Sequence, residues 1–285
     1  MARNTHAHRE KLDAKLDGYL RNWGPLQWRG PLSVATPPPN QQIARALLCL
    51  GAIETDSLVI YRKVHLAGVD LDPAVRQFVL CWLGEEAEHG RALTALAQLL
   101  GASAPPPTRS DRSAHIREIV AWPVLVAARP FKTLLQATYC ALGAVQEYIA
   151  LTTYRYCARL LGDPHLAEIL DGMALQESRH MRFYRYAASV FLESTAAQRI
   201  TRRALRRLWR PPGVDVLGID HWLETFRCLL VDEEYRARLV GVDSMIQHLP
   251  GLDGLVLMER FLSGNGYSIP HHPEIQQALD AADAD

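Results

Sequence analysis

Six side chains combine a chemically useful type with a regular spacing: Glu54, the pair Glu86 and His89, Glu147, and the pair Glu177 and His180. Each lies in a run whose apolar residues recur every three or four positions, so each is expected on the buried face of a helix. Glu54 continues the stripe Ile43, Leu47, Leu50, and Glu147 shares the register of Cys140, Ala144, Leu151 and Tyr154. The stripe Val75, Val79, Trp82 runs through Glu86 and His89 to Leu93, Leu96 and Leu100, while Leu166, Leu170 and Met173 lead to Glu177 and His180. In both ExxH pairs the spacing of three brings carboxylate and imidazole to one helix face. Ionised carboxylates in a dry interior are costly and repel one another, so four together require protonation or cations. Two divalent ions balance four carboxylates. Imidazole favours a transition metal over magnesium, and the carboxylate majority suits iron, with manganese as the other choice. The chemistry to expect is therefore redox chemistry with dioxygen as co-substrate.

The four runs repeat as Glu, ExxH, Glu, ExxH, with 32 residues from Glu54 to Glu86 and 30 from Glu147 to Glu177, a duplication in pattern. This order is the known signature of di-iron and di-manganese carboxylate bundles, and the metal assignment rests on that match. A lone ExxH is usually a surface pair, but two of them, each preceded by a single Glu at a matched distance, are not. Asp56 lies two residues beyond Glu54, about 200° around the helix, and is expected on the opposite face. Glu85 and Glu88 flank the second run and read as supporting or solvated groups, and His65, His115 and His165 match no ligand spacing. Gly51, Gly143 and Ala144 precede the lone glutamates by a turn or less and either leave room for a substrate or permit close helix packing.

Strand signals are nearly absent, so the fold class is all-α, a four-helix bundle with additional peripheral helices. A short amphipathic helix is expected near 9–23, followed by the proline- and glycine-rich arm GPLQWRGPLSVATPPPN. The long helices are expected at about 41–67 behind Asn40, from Pro73 to Leu100 behind Asp72, from after Pro130 to Leu161, and from Pro164 to about Glu193 behind Asp163. A linker, GASAPPPTRSDRS, and a shorter helical stretch separate the two halves. One domain is expected, with an arm at 1–40, a bundle core at about 41–194, and a helical elaboration at 195–285 packed outside it.

With 48% hydrophobic and 22% charged residues the chain is well able to bury a core, and 31 basic against 31 acidic residues give no global attraction to nucleic acid or to a membrane. Five cysteines without a CxxC pair argue against a disulfide framework, and the charged N-terminus lacks an apolar signal core, which together point to the cytoplasm. The segment TRRALRRLWR gathers Arg202, Arg203, Arg206, Arg207 and Arg210 within about 140° of one helix face, with Ile200, Ala204 and Leu208 opposite.

The run WLGEEAEHGRALTALAQLLG resembles the EExxH helix of the soluble acyl-acyl carrier protein desaturases, a family of the ferritin-like superfamily. QEYIALTTYRYCARLLGDPHLAEILDGMALQESRHMRFY resembles that family's QE helix, Gly-Asp turn and ExRH helix in one stretch, and the likeness extends over about residues 43–193. It implies a ferritin-like bundle in which Glu54, Glu86, His89, Glu147, Glu177 and His180 bind two iron ions and serve catalysis, using dioxygen and two electrons to take hydrogens from an acyl chain. It also implies a homodimer, a ferredoxin-type electron donor and an acyl carrier protein, for which the arginine face is the expected docking surface. Two positions depart from the family. Gln176 stands where many members have Asp, and Ala150 where plant-type members have Thr. Besides desaturation, the metal pattern leaves open hydroxylation, N-oxygenation or carbon–carbon cleavage, or a ferritin-like iron protein that oxidises no substrate. Met173 stands where an N-oxygenase would be expected to place an extra histidine, the first ligand is not the aspartate usual in ribonucleotide reductase, and simple storage needs no long C-terminal elaboration.

Overall fold

The computed structural model describes residues 2–26, 28, 40–66, 71–102 and 132–270, with the backbone alone for 2–8, 57–66, 132 and 216. Most of the proline-rich arm, the linker beyond Ala102, the shorter helical stretch expected after it, and His115 lie outside the described residues, as does the side chain of His65. The described residues are all-α: α1 Ala2–Arg21, α2 Gln41–Leu66, α3 Pro73–Leu99, α4 Lys132–Leu161, α5 Pro164–Phe191, α6 Thr195–Leu208, α7 Val214–Leu217, α8 Ile219–Leu230, α9 Glu233–Gln247 and α10 Met258–Gly264. None of these helices is long and apolar enough to cross a membrane.

The helix boundaries follow from local chemistry. Asp72 accepts from the Ala74 N–H at 2.9 Å and Asp163 from His165 and Leu166, each with Pro as the first helical residue, where its missing donor does no harm. Asn40 accepts from Ile43 in the same way ahead of α2. Gly162, at φ 65°, ends α4 in the left-handed conformation that glycine adopts without strain. The N-terminal helix begins at Ala2, seven residues earlier than its amphipathic pattern indicates, and it buries Leu12, Leu16 and Tyr19.

Two helix pairs, α2 with α3 and α4 with α5, make the most extensive contacts, and α3 meets α5 between them. Each pair is drawn close beside its prospective metal ligands by a glycine. A methyl group on Gly51 would stand 3.1 Å from the Gly90 carbonyl of α3, and one on Gly143 would stand 2.8 Å from the Tyr184 ring of α5. Both glycines therefore serve close packing and leave no room for a substrate, which decides between the two roles open to them. α1 lies against α3 and α5.

The arginine-rich helix α6 buries Ala197, Thr201 and Leu205, whereas Ile200 and Leu208 are 47% and 76% exposed. The stripe opposite the arginines, Ile200, Ala204 and Leu208, is thus not the buried one: Thr201 and Leu205 take the interior, and the Thr201 hydroxyl bonds that of Thr138 on α4 at 2.9 Å. Arg203, Arg206, Arg207 and Arg210 are exposed, but Arg202 is turned to the carbonyls of Asp253 at 2.7 Å and Gly251 at 3.3 Å. The helices α8 to α10 do more than cover the outside, because they wall a cavity that reaches the acidic cluster.

Candidate metal centre

All six expected residues converge. Glu86, His89, Glu177 and His180 are at most 1% exposed, and Glu147 and Glu54 are 5% and 7% exposed. They form two groups, Glu54, Glu86, His89, Glu177 and Glu86, Glu147, Glu177, His180, each with its donor atoms within 4.8 Å of one another and each able to hold a metal ion. Glu86 and Glu177 belong to both. Each group thus has its own histidine and its own lone glutamate, with the two ExxH carboxylates between them. His165 is exposed and belongs to neither, and Met173 is fully buried.

The histidines are turned so that one nitrogen faces the cluster. His89 Nε2 lies 2.7 Å from Gln176 Oε1, an acceptor only, so Nε2 carries the hydrogen. The amide is oriented by its own Nε2, which donates to the Gly24 carbonyl at 2.8 Å and to Glu85 at 3.2 Å. His180 Nε2 is 2.7 Å from Glu85 Oε2, a carboxylate that also accepts from Tyr19 at 2.5 Å and from Arg179 at 3.4 Å. Both Nδ1 atoms therefore face inward: His89 Nδ1 is 2.9 Å from Glu177 Oε1, and His180 Nδ1 is 3.0 Å from Glu177 Oε2 and 3.3 Å from Glu86 Oε1. Despite these distances, Glu86 Oε1, His89 Nδ1 and Glu177 Oε1 make no hydrogen bond. Buried polar atoms are rarely left so. Close approach without hydrogen-bond geometry suits donors that share a cation, and outward-anchored imidazoles are how metal-binding histidines are usually fixed. The donor set therefore fits metal.

The ionisation states of the protein alone carry the same message. Burial, followed by the charges of Glu177 and Glu54, holds the Glu86 carboxyl well above the usual range. Burial and then Glu177 do likewise for Glu147, and burial raises Glu54. Burial would raise Glu177 too, but His89 and His180 outweigh it and hold that carboxyl low. Burial would lower both imidazoles, yet the surrounding carboxylates raise His89 and raise His180 further. Without metal, the raised carboxyls Glu54, Glu86 and Glu147 and the raised imidazoles all hold their protons more tightly than usual, and only Glu177 is driven toward its charged form. Bound cations replace those protons.

Two supporting residues, Tyr154 and Tyr19, were not singled out from the sequence. Tyr154, on the Glu147 stripe seven residues on, donates its hydroxyl to Glu54. Tyr19 belongs to a helix that gave no sign of approaching the cluster. Glu85 proves to be 2% exposed and Glu88 accepts from the Leu26 N–H at 3.0 Å, so both tie the N-terminal segment to α3. Asp56 is outside both ligand groups, but it lines a cavity beside Glu54, so it is not turned fully away.

That cavity, of about 140 Å³, is reached by Glu54, Glu86 and Glu147 and walled by apolar residues including Ile53, Trp82, Trp222 and Phe226. Ala150 lines it one turn from Glu147. No family profile matches this chain, and neither a characterised protein nor a solved structure matches it.

Proposed function

We propose that this chain is a ferritin-like dinuclear iron oxidoreductase that uses dioxygen to desaturate an acyl group. The observation that carries the reading is the pair of overlapping four-ligand groups sharing Glu86 and Glu177, open on one edge to an apolar cavity. A pair of redox-active ions held there supplies the two-electron activation of dioxygen that the side chains alone lack. The protein's part is to fix the histidines through Gln176 and Glu85, to exclude water, and to hold the reacting carbon against the Glu54, Glu86 and Glu147 edge. The resemblance of α3 to α5 to the acyl-acyl carrier protein desaturases supports the choice of an acyl substrate. The exposed face of Arg203, Arg206, Arg207 and Arg210 supports delivery by an acidic carrier protein, because Arg210 also stands at the cavity mouth. A ferredoxin-type donor and a homodimer complete the proposal.

A second reading, insertion of oxygen instead of removal of hydrogen, is favoured by Ala150, which lines the cavity with a methyl group where plant-type members of the resembled family have a hydroxyl. Anaerobic reconstitution with ferrous iron, addition of reductant and oxygen, and mass spectrometry of acyl substrates test both readings. Two irons per chain and loss of two hydrogens are expected. Gain of an oxygen atom would transfer the conclusion to the second reading, and failure to bind iron would remove both.

A further inference from the structure

We propose that Tyr19 is a positioning residue of the metal centre: through Glu85 it holds His180 toward the cluster, so that seating of the N-terminal segment and binding of the ion beside His180 strengthen each other. This rests on the reading of the cluster as a site for two ions, and not on the reaction carried out there.

Between Tyr19 and Gly24 the N-terminal segment reaches the supports of both histidines. The Tyr19 hydroxyl donates to Glu85 Oε2 at 2.5 Å, and the same oxygen lies 2.7 Å from His180 Nε2. The Gly24 carbonyl accepts from Gln176 Nε2 at 2.8 Å, and the oxygen of that amide lies 2.7 Å from His89 Nε2. One intervening side chain therefore separates the segment from each imidazole. The two legs differ in kind. At Gly24 the contact is main chain, and any residue there supplies it, whereas at Glu85 it depends on the tyrosine hydroxyl. Glu85 is 2% exposed, and its other oxygen accepts from Gln176 at 3.2 Å and from Arg179 at 3.4 Å, both longer than the Tyr19 bond. A buried carboxylate is held in place by its donors, and loss of the shortest loosens whatever the carboxylate itself orients. Tyr19 is in turn fixed. It is 5% exposed, its ring meets Phe78 edge-on at 4.8 Å, and the segment beyond it is pinned where the Leu26 N–H donates to Glu88 at 3.0 Å. Phenylalanine keeps that ring packing and removes only the hydroxyl. The coupling runs both ways, because a contact that raises the affinity for an ion must be strengthened by that ion to the same degree.

The test titrates the full-length, metal-free protein with manganous ion by calorimetry and follows amide exchange in α1 by mass spectrometry with and without that ion. Wild type is expected to bind two ions. Tyr19→Phe should weaken one of them roughly 3- to 10-fold and leave the other unchanged, a smaller loss than the 10- to 100-fold typical when the direct outer partner of a metal-binding histidine is removed. Glu85→Gln alters that direct partner and should weaken the same ion by the larger factor. In the wild type, manganese should slow exchange in α1 more than in α6, which among the described residues bears none bonded to the cluster or its supports. In Tyr19→Phe that excess should shrink by about the factor lost in affinity. If the variant does not fold, the wild-type exchange comparison decides alone. Equal weakening of both ions, unchanged affinity in Tyr19→Phe, or exchange in α1 indifferent to manganese would overturn the proposal while leaving the two-ion site intact. No manganese bound by the wild type would remove the two-ion reading and this inference with it.

Discussion

Gln176 and Glu85 each stand one residue before an ExxH carboxylate, and they meet: Gln176 Nε2 donates to Glu85 Oε1 at 3.2 Å. Each also holds the histidine of the other ExxH pair, Gln176 taking His89 and Glu85 taking His180. The two halves of the duplication are thus crossed at their supports, and the crossing fixes both imidazoles with Nδ1 inward. The halves differ in charge, since one imidazole leans on a neutral amide and the other on a carboxylate that burial would raise but that His180, Tyr19 and Arg179 hold below its usual range.

Removing the neutral support should loosen one ion more than the other. Gln176→Leu leaves His89 without its outward acceptor, and metal affinity is expected to fall about 10- to 100-fold for the more weakly held ion. Competition with a coloured chelator reads this as two separated binding steps. A single unchanged step would show that Gln176 does not orient the ligand.

Metal uptake should release protons and strengthen as pH rises. In the metal-free protein Glu54, Glu86 and Glu147 are held above the usual carboxyl range, mainly by burial, and His89 and His180 are raised by the carboxylates around them, which outweigh burial. Groups raised on folding contribute stability below their unfolded pKa values, and that contribution is lost as pH rises through their folded values. Only Glu177, held low, has the opposite sign within the cluster, and its contribution is lost in acid. Chelated protein is therefore expected to melt at lower temperature as the buffer moves from mildly acidic to alkaline, and iron or manganese to reverse that trend. Melting curves across pH with and without metal check it, and titrations in buffers of different ionisation enthalpy count the protons.

Tight packing beside the ligands should tolerate no added methyl. In Gly143→Ala the new Cβ would meet the Tyr184 ring at 2.8 to 2.9 Å, and both helices carry ligands within about two turns. A loss of about 1–3 kcal/mol in urea unfolding is expected, the range for an overfilled core. Wild-type stability would show that α4 and α5 part freely.

The five arginines Arg202, Arg203, Arg206, Arg207 and Arg210 should separate into one structural group and four that face outward. Arg202→Ala removes two contacts to the carbonyls of Gly251 and Asp253 and is expected to cost about 1 kcal/mol. Reversing Arg203 and Arg207 to Glu should change stability by less than about 0.5 kcal/mol, because both are exposed. The same double variant should slow turnover of a carrier-bound substrate at low salt. Unchanged turnover there would remove the carrier protein from the proposal.

Residue order alone was enough to reveal the helices and the identity of the cluster. Apolar spacing marks each buried stripe, Asp-Pro caps mark where helices start, and a carboxylate or imidazole in such a stripe must find charge compensation, so Glu54, Glu86, His89, Glu147, Glu177 and His180 were legible before any fold was known. Which residues of α6 are buried was not legible in this way: the interior takes Thr201 and Leu205, while Ile200 and Leu208 stay exposed. A short helix with many cations has too few apolar residues to define its own register, and its neighbours decide it. Packing of the helices on one another was needed to bring Tyr19 to Glu85, to carry Gln176 across to His89, and to set Tyr235 and Trp82 around one small cavity. These contacts join residues far apart in the chain and depend on how the helices lie across one another, which the spacing of residues along any single helix does not encode.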